Sequence, residues 1–370
     1  MSVPKLFSPG PVMVEDNVRE ALLHYDICHR GKEFEEMFAD TLQKINVIFG
    51  ADDSYKSVIV SGSGTSANET VLSSIFKEKN DSVLLVSNGT FGERLEEIIL
   101  KYKIPMVKPD FEWAEYPDVN IIEEKLSNNP DVKVVAMVFH ETSTGMINPV
   151  YEVGQLCKKY GKLFFVDCVS AAGGENIDVV RNNIDVATGV GGKCVGAFPG
   201  SAYICAKESL LESIKEEDCK NVYLNLYKHY HYAKNIRQTP NTPNLTLFWA
   251  LNAALTNIIN KGLDKQIETY KERAKILRNG IKELGLRVLL DEKYMSNSVT
   301  SVFLPDRIKV DDFLAEMEKD GYVLYAGKGK YYEQNMFQVA NMGNIKIEEC
   351  YELLKIIDKN IKKLQPNNCN

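Results

Sequence analysis

Before Pro243 the apolar positions gather into short runs at 57–60, 82–86, 132–139, 162–166, 184–187 and 201–205. Each run is rich in β-branched or other apolar side chains and closes on Gly, Ser, Asn or Asp. The stretches between them carry helical spacing. Runs apolar on successive residues predict strands buried on both faces, and their alternation with helices predicts a mostly parallel sheet covered on both sides. After Pro243 the rhythm changes. Long amphipathic helical patterns at 245–260 and 263–284 lead to 298–304 and 336–340, which alternate apolar and polar like strands of an antiparallel sheet open on one face. The pattern is therefore a large α/β unit followed by a smaller α+β one, joined near 245–260.

A chain of 370 residues exceeds what one hydrophobic core usually serves. The expected division is an N-terminal arm over 1–14, a large domain over 15–250, a small C-terminal domain over 251–365 and a disordered tail over 366–370. The arm reads as irregular, because Phe7-Ser8-Pro9-Gly10-Pro11 sets two prolines around a glycine. The formal charge of −7 argues against a broad basic face for nucleic acid or anionic lipid. No secretory-type apolar segment or membrane-length run is present, so a cytoplasmic protein is expected. The cysteines show no C-x-x-C and no metal-ligand spacing, which predicts reduced thiols and no metal site. Cys168, Cys194 and Cys205 are read as packing residues.

Three local features carry chemistry. In Ser61-Gly62-Ser63-Gly64-Thr65-Ser66-Ala67-Asn68-Glu69 a strand enters a Gly/Ser/Thr turn and then a helix. Free N–H groups and the positive helix end there suit a phosphate, with Gly64, Thr65 and Ser66 as the cup; an ordinary capped turn has the same outline. It is neither a Walker loop nor a complete G-x-G-x-x-G, so nucleotide binding is not indicated. Asp167 ends the run 162–166 at the carboxyl edge of the sheet, where open α/β sheets place ligands, though an Asp may also cap the next turn there. Lys193 lies in Gly191-Gly192-Lys193-Cys194-Val195-Gly196, among glycines and apolar residues. Burial drives a lysine toward its neutral amine, the form that attacks an aldehyde to give a Schiff base.

The order of these features, with Asn88-Gly89-Thr90-Phe91-Gly92 between the first two, is what a phosphorylated pyridine aldehyde requires. Together with Glu141-Thr142-Ser143-Thr144-Gly145-Met146-Ile147-Asn148-Pro149 and the stretch 166–199, they make the chain resemble the class V aminotransferases of the fold type I pyridoxal 5′-phosphate enzymes, over about 7–342. The resemblance implies a seven-stranded, mostly parallel sheet sandwiched by helices, and a ping-pong transfer of an amino group from a small, 2-aminoethylphosphonate-like amine to a small keto acid such as pyruvate. An alanine:glyoxylate or serine:pyruvate type transaminase, or a lyase or decarboxylase, stays open. The resemblance implies that Lys193 holds the cofactor and moves the proton, that Asp167 partners the pyridine nitrogen, and that Phe91 stacks on the ring with Val169 on its other face. Thr142 would lie near the ring's 3′-oxygen. It implies a homodimer in which Thr242, from Arg237-Gln238-Thr239-Pro240-Asn241-Thr242-Pro243, completes the partner's phosphate cup. Tyr227-Lys228-His229-Tyr230-His231-Tyr232 reads either as part of the substrate entrance or as an amphipathic interface helix.

The resemblance breaks at Gln338, in Met336-Phe337-Gln338-Val339-Ala340-Asn341-Met342-Gly343, where the family usually has an arginine that grips the substrate carboxylate. A neutral amide cannot form that charge-assisted fork. Arg30, Arg94, Arg237, Lys328 and Lys330 are the cations that could compensate, with Arg237 favoured because it abuts the expected cup. Gln338 and Arg237 are accordingly the expected substrate-binding positions.

Overall fold

The computed structural model describes residues 3–365; the expected tail at 366–370, with Cys369, lies outside them. The large sheet has seven strands in the order Tyr55–Gly62, Gly200–Lys207, Val186–Val190, Leu163–Asp167, Val132–Val138, Ser82–Val86 and Met106–Val107. Gly200–Lys207 runs antiparallel to both neighbours and the remaining pairings are parallel. The run pattern at 57–60, 82–86, 132–139, 162–166, 184–187 and 201–205 thus identified the strands except the edge strand Met106–Val107. Two residues leave too little periodicity to read.

The sheet is covered by helices whose buried stripes meet it. Lys32–Ile48 turns Phe34, Met37, Phe38, Thr41, Ile45 and Ile48 inward, the i, i+3, i+4 spacing of one helical face. Val150–Tyr160 stops at Gly161, which adopts φ 64°, a left-handed conformation that glycine accepts without a Cβ penalty. Leu226–Ile236 begins at Asn225, whose side chain accepts from the Lys228 N–H.

A second hydrophobic cluster forms around a four-stranded antiparallel sheet ordered Arg287–Val288, Val299–Phe303, Met336–Ala340 and Tyr325–Ala326, covered by the helices Leu263–Glu283, Val310–Lys319 and Ile347–Leu364. The expected change of domain at 250/251 falls inside the helix Leu245–Lys261. Its buried face, including Leu251, Leu255 and Ile258, packs on the first cluster. Glu175 fastens the two parts by accepting from the Asn297 N–H at 2.6 Å and from its side-chain amide at 2.7 Å.

Residues 7–11 of the arm form no helix or strand, as expected, but a short strand precedes them. Lys5–Leu6 pairs in parallel with Tyr322–Val323, and Phe7 is buried in the second cluster. The pairing falls between Pro4 and Pro9, where the N–H groups of Lys5 and Phe7 donate to the Gly321 and Val323 carbonyls at 2.8 and 2.9 Å. The chain then crosses toward the carboxyl edge of the large sheet, so residues distant in sequence cover that edge.

Candidate active site

The carboxyl ends of the parallel strands open into a cavity of about 260 Å³. Ser63, Gly64 and Thr65 line one end, Asp167 and Asn68 the floor, Phe91 and Val169 the sides, and Lys193 the far wall beneath Gly10 and Pro11. Apart from Gly10 and Pro11 of the arm, they come from the ends of four strands of the sheet, where open α/β sheets place ligands.

The helix Gly64–Leu72 starts with Ser63 extended and with no side-chain cap, leaving the first backbone N–H groups facing the cavity end. Gly64 is required by close approach: a Cβ there would come within 2.5 Å of a Val169 methyl. Of the residues expected to form the cup, Gly64 and Thr65 line the cavity and Ser66 does not. The Ser66 hydroxyl turns back to donate to the Ser63 carbonyl at 2.6 Å, so it closes the turn while Ser63 lines the cavity.

Asp167 ends the strand Leu163–Asp167 and is buried. Its Oδ1 accepts from the Val169 N–H at 2.8 Å and its Oδ2 from Asn68 Nδ2 at 2.6 Å. Thr188 donates in turn to Asn68 Oδ1 at 2.6 Å, so the carboxylate is held by a continuous buried relay. Burial raises the Asp167 pKa, and the Val169 and Asn68 hydrogen bonds oppose that rise. A buried carboxylate with no cation in contact is unfavourable unless a cationic partner arrives.

Phe91 opens the helix Thr90–Lys101. Glu141 is buried at that helix's N-terminus, where it accepts from the N–H groups of Phe91 at 3.1 Å and Gly92 at 3.0 Å, and from Ser143. Burial raises the Glu141 pKa against the pull of these donors. The helix end thus fixes the ring's height above the floor. Asn68, Thr188 and Glu141 were not singled out from the sequence as site residues. Asn68 and Glu141 lie inside quoted motifs, but what they touch is set by chain segments about 50 to 120 residues away.

Lys193 sits in the glycine-rich turn between Val186–Val190 and Gly200–Lys207, and its Nζ donates to the Pro9 carbonyl of the arm. Burial lowers its pKa to about 8, with a further push from the Lys328 charge opposed by Cys194 and Asp167. A sizeable neutral fraction is therefore present near neutrality. Thr142 is buried against Ser170, to which its hydroxyl donates, and is not among the cavity-lining residues.

The remaining expected residues separate sharply. Gln338 is buried and its amide nitrogen donates to the carbonyls of Thr142 at 2.8 Å and Ser143 at 3.2 Å and to the Ser301 hydroxyl at 3.1 Å, so its donors are already engaged. Within one chain neither Thr242 nor Arg237 lines the cavity; Arg237 is exposed, in a left-handed conformation past the helix Leu226–Ile236. Arg30 binds the Thr239 carbonyl at 2.7 Å and Gln238 Oε1 at 2.9 Å, and Lys330 pairs with Glu112 at 3.0 Å. Arg94 lines the cavity, with Nη1 3.4 Å from the Thr65 hydroxyl, and Lys328 Nζ stands 4.7 Å from the centre of the Phe91 ring.

These residues fit pyridoxal 5′-phosphate. Open N–H groups suit the phosphate, the uncompensated Asp167 suits a protonated ring nitrogen, Phe91 and Val169 bound the ring's space, and a partly deprotonated lysine suits the aldehyde. This is the site of a fold type I pyridoxal-phosphate enzyme. Residues 10–342 match the family described as Aminotransferase class-V, and the chain belongs to that family. Among its relatives, an uncharacterized aminotransferase of Methanocaldococcus jannaschii is 32% identical over 97% of this chain and 93% of its own length. The 2-aminoethylphosphonate–pyruvate transaminase of Klebsiella pneumoniae is 31% identical over 95% of this chain and 96% of its own. The crystal structure of ureidoglycine–glyoxylate aminotransferase from Bacillus subtilis superposes with a TM-score of 0.92 at 24% identity, covering 99% of this chain and 95% of that one. The protein is a pyridoxal-phosphate-dependent transaminase.

Proposed function

We propose that the protein moves an amino group from 2-aminoethylphosphonate, or a closely similar short amine bearing an acid group, to a small keto acid such as pyruvate, in two half-reactions at one site. The observation that carries this reading is the meeting of Lys193, Asp167, Phe91 and the open helix end in one cavity of a family member whose relatives include 2-aminoethylphosphonate–pyruvate transaminases. Pyridoxal phosphate, when bound, supplies the electron-withdrawing ring that stabilises negative charge at the reacting carbon. Ser63, Gly64 and Thr65 hold the phosphate and Asp167 holds the ring nitrogen's proton. Phe91 and Val169 keep water from the ring faces. Lys193 Nζ, which burial leaves partly unprotonated, would hold the cofactor at its aldehyde carbon and, once the donor amine has displaced it there, would be free to accept and return the proton at the reacting carbon.

The loop at 237–243 does not reach the cavity of its own chain, which supports a homodimer in which Thr242 completes the partner's phosphate cup. The free cysteines, most of them buried, fit a reducing compartment, and we place the protein in the cytoplasm. Among the described residues no helix is long and apolar enough to cross a membrane.

The test is an absorption spectrum of the purified protein before and after each candidate amine, with Lys193→Ala beside it. The expected result is a visible cofactor band that 2-aminoethylphosphonate removes and pyruvate restores, and that Lys193→Ala lacks. A band removed by alanine or serine but not by the phosphonate would move the donor to an amino acid. Product formed over many turnovers without any keto acid would replace transamination by lyase or decarboxylase chemistry.

A further inference from the structure

Gln338 leaves the acid group of a substrate without an arginine at that strand, and its own donors are engaged by Thr142, Ser143 and Ser301. The neighbouring strand Tyr325–Ala326 pairs with Gln338 and Phe337 and runs directly into Gly327-Lys328-Gly329. That turn is built tightly. The Gly327 N–H donates to the Met336 carbonyl at 2.6 Å, and a Cβ on Gly327 would meet the Met336 side chain at 2.9 Å. Gly329 has φ 51° and lies against the Trp113 ring, where a Cβ would come within 3.0 Å.

Trp113 ties this turn to the helix that carries Phe91 and Arg94. The Tyr331 hydroxyl donates to the Trp113 carbonyl at 3.0 Å, and the Trp113 indole N–H donates to Glu93 at 2.7 Å. Lys328 is thereby held 4.7 Å from the Phe91 ring centre, outside the cavity lining that includes Arg94 but near enough for the two charges to repel. Its neighbour Lys330 has an ion-pair partner in Glu112. Lys328 has none among the described residues, because the nearby Glu141 directs its oxygens to the N–H groups of Phe91 and Gly92. Among the described residues the one ion pair of Arg94 is an exposed one with Glu97 at 3.3 Å, one turn away on its own helix, beside its contact with the Thr65 hydroxyl at 3.4 Å.

We infer that Lys328, with Arg94 beside it across Phe91, is the receptor for the acid group of the amine donor and sets its specificity. A lysine is a point charge without the planar fork that matches a carboxylate, and two neighbouring cations match a tetrahedral dianion such as a phosphonate. The assignment rests on the transaminase reading and adds to it the residue that selects the substrate class.

The test uses the holoenzyme and two acids that lack the amine and so bind without reacting, ethylphosphonate and propionate. Binding is measured by protein fluorescence and by competition against the amine donor. Ethylphosphonate is expected to bind more tightly than propionate, and Lys328→Gln to weaken it by roughly tenfold or more. The same change raises KM for the donor with kcat at saturation nearly kept, and Lys328→Arg, which retains the charge, recovers most of the affinity. Tighter propionate with the same dependence on Lys328 would keep the receptor and assign it a carboxylate. The inference is overturned if Lys328→Gln binds both acids as the parent does, if neither acid binds the parent, or if Arg237→Gln alone removes binding. Failure of the transaminase reading has a separate signature: acid binding still follows Lys328, yet no amine alters the cofactor band.

Discussion

The two ends of the cavity are built in opposite ways. At the floor, Asp167, Asn68 and Thr188 come from the first hydrophobic cluster's own strands and helix, are buried, and are joined by hydrogen bonds of 2.6 Å. At the rim, Arg94 comes from a helix on the large sheet and Lys328 from the small sheet, both reach solvent, and Lys328 has no counter-charge among the described residues. A buried relay has one low-energy arrangement, since any lost partner leaves an unsatisfied polar group. An exposed cation has several. The floor is therefore preorganised for one cofactor, whereas a single residue can be changed at the rim without breaking a buried hydrogen bond beneath it.

The largest expected effect comes from breaking the floor. Asp167→Ala removes the group that holds the ring nitrogen's proton and should lower kcat by about a hundredfold or more, judged against the ~10²–10⁴-fold that a positioned proton-transfer group contributes. If Asp167→Ala retained parental kcat with the phosphonate donor, the floor would not be the electrostatic half of the site.

Next is the pH dependence of cofactor uptake. The Lys193 pKa is lowered to about 8, so the reactive neutral amine is the minor form below that value and the major form above it. The rate of covalent cofactor loading onto apo-protein should rise roughly tenfold per pH unit below about 8 and level off above it. Lys328→Gln removes a charge that depresses Lys193, so the bend should move to higher pH. An unmoved bend would show that rim and floor are electrostatically independent.

The smallest effect is expected for Asn68→Ala. It leaves the Thr188 hydroxyl and one Asp167 oxygen without their buried partner, at a cost of about 1–3 kcal/mol. Thermal unfolding of the apo-protein and cofactor affinity should both register it. Asn68→Asp would add a second carboxyl 2.6 Å from Asp167 in place of the amide donor, and should weaken cofactor binding more than alanine does. Equal losses for the two variants would mean that Asn68 acts by packing alone.

Part of the cavity lining was legible before any fold was known. Lys193 among glycines, Asp167 at the end of an apolar run and Phe91 after Asn88-Gly89 are each local signals, because a buried strand end and a glycine turn are written in adjacent residues. Ser66 shows the limit of that kind of reading. A Ser/Thr/Gly turn announces a helix end, but which hydroxyl faces outward depends on the first turn's dihedrals, and here Ser63 faces the cavity while Ser66 closes the turn. The arm shows a related limit: the irregular stretch 7–11 follows from its prolines and glycine, but the pairing of Lys5–Leu6 depends on Tyr322–Val323, more than 300 residues away.

The sequence by itself determined the strand and helix periodicities, the order of the residues expected to hold the cofactor, and the presence of a glutamine at 338, where the resemblance leads one to expect an arginine. Tertiary structure alone decided that Gln338 is fully engaged by Thr142, Ser143 and Ser301, that Asn68 and Glu141 are supports of the floor and of Phe91, and that Lys328 stands over Phe91. The physical reason is that charge and hydrogen-bonding capacity are properties of a residue, whereas being unpaired is a property of its neighbours. Those neighbours are chosen by packing between segments that the chain brings together only when it folds.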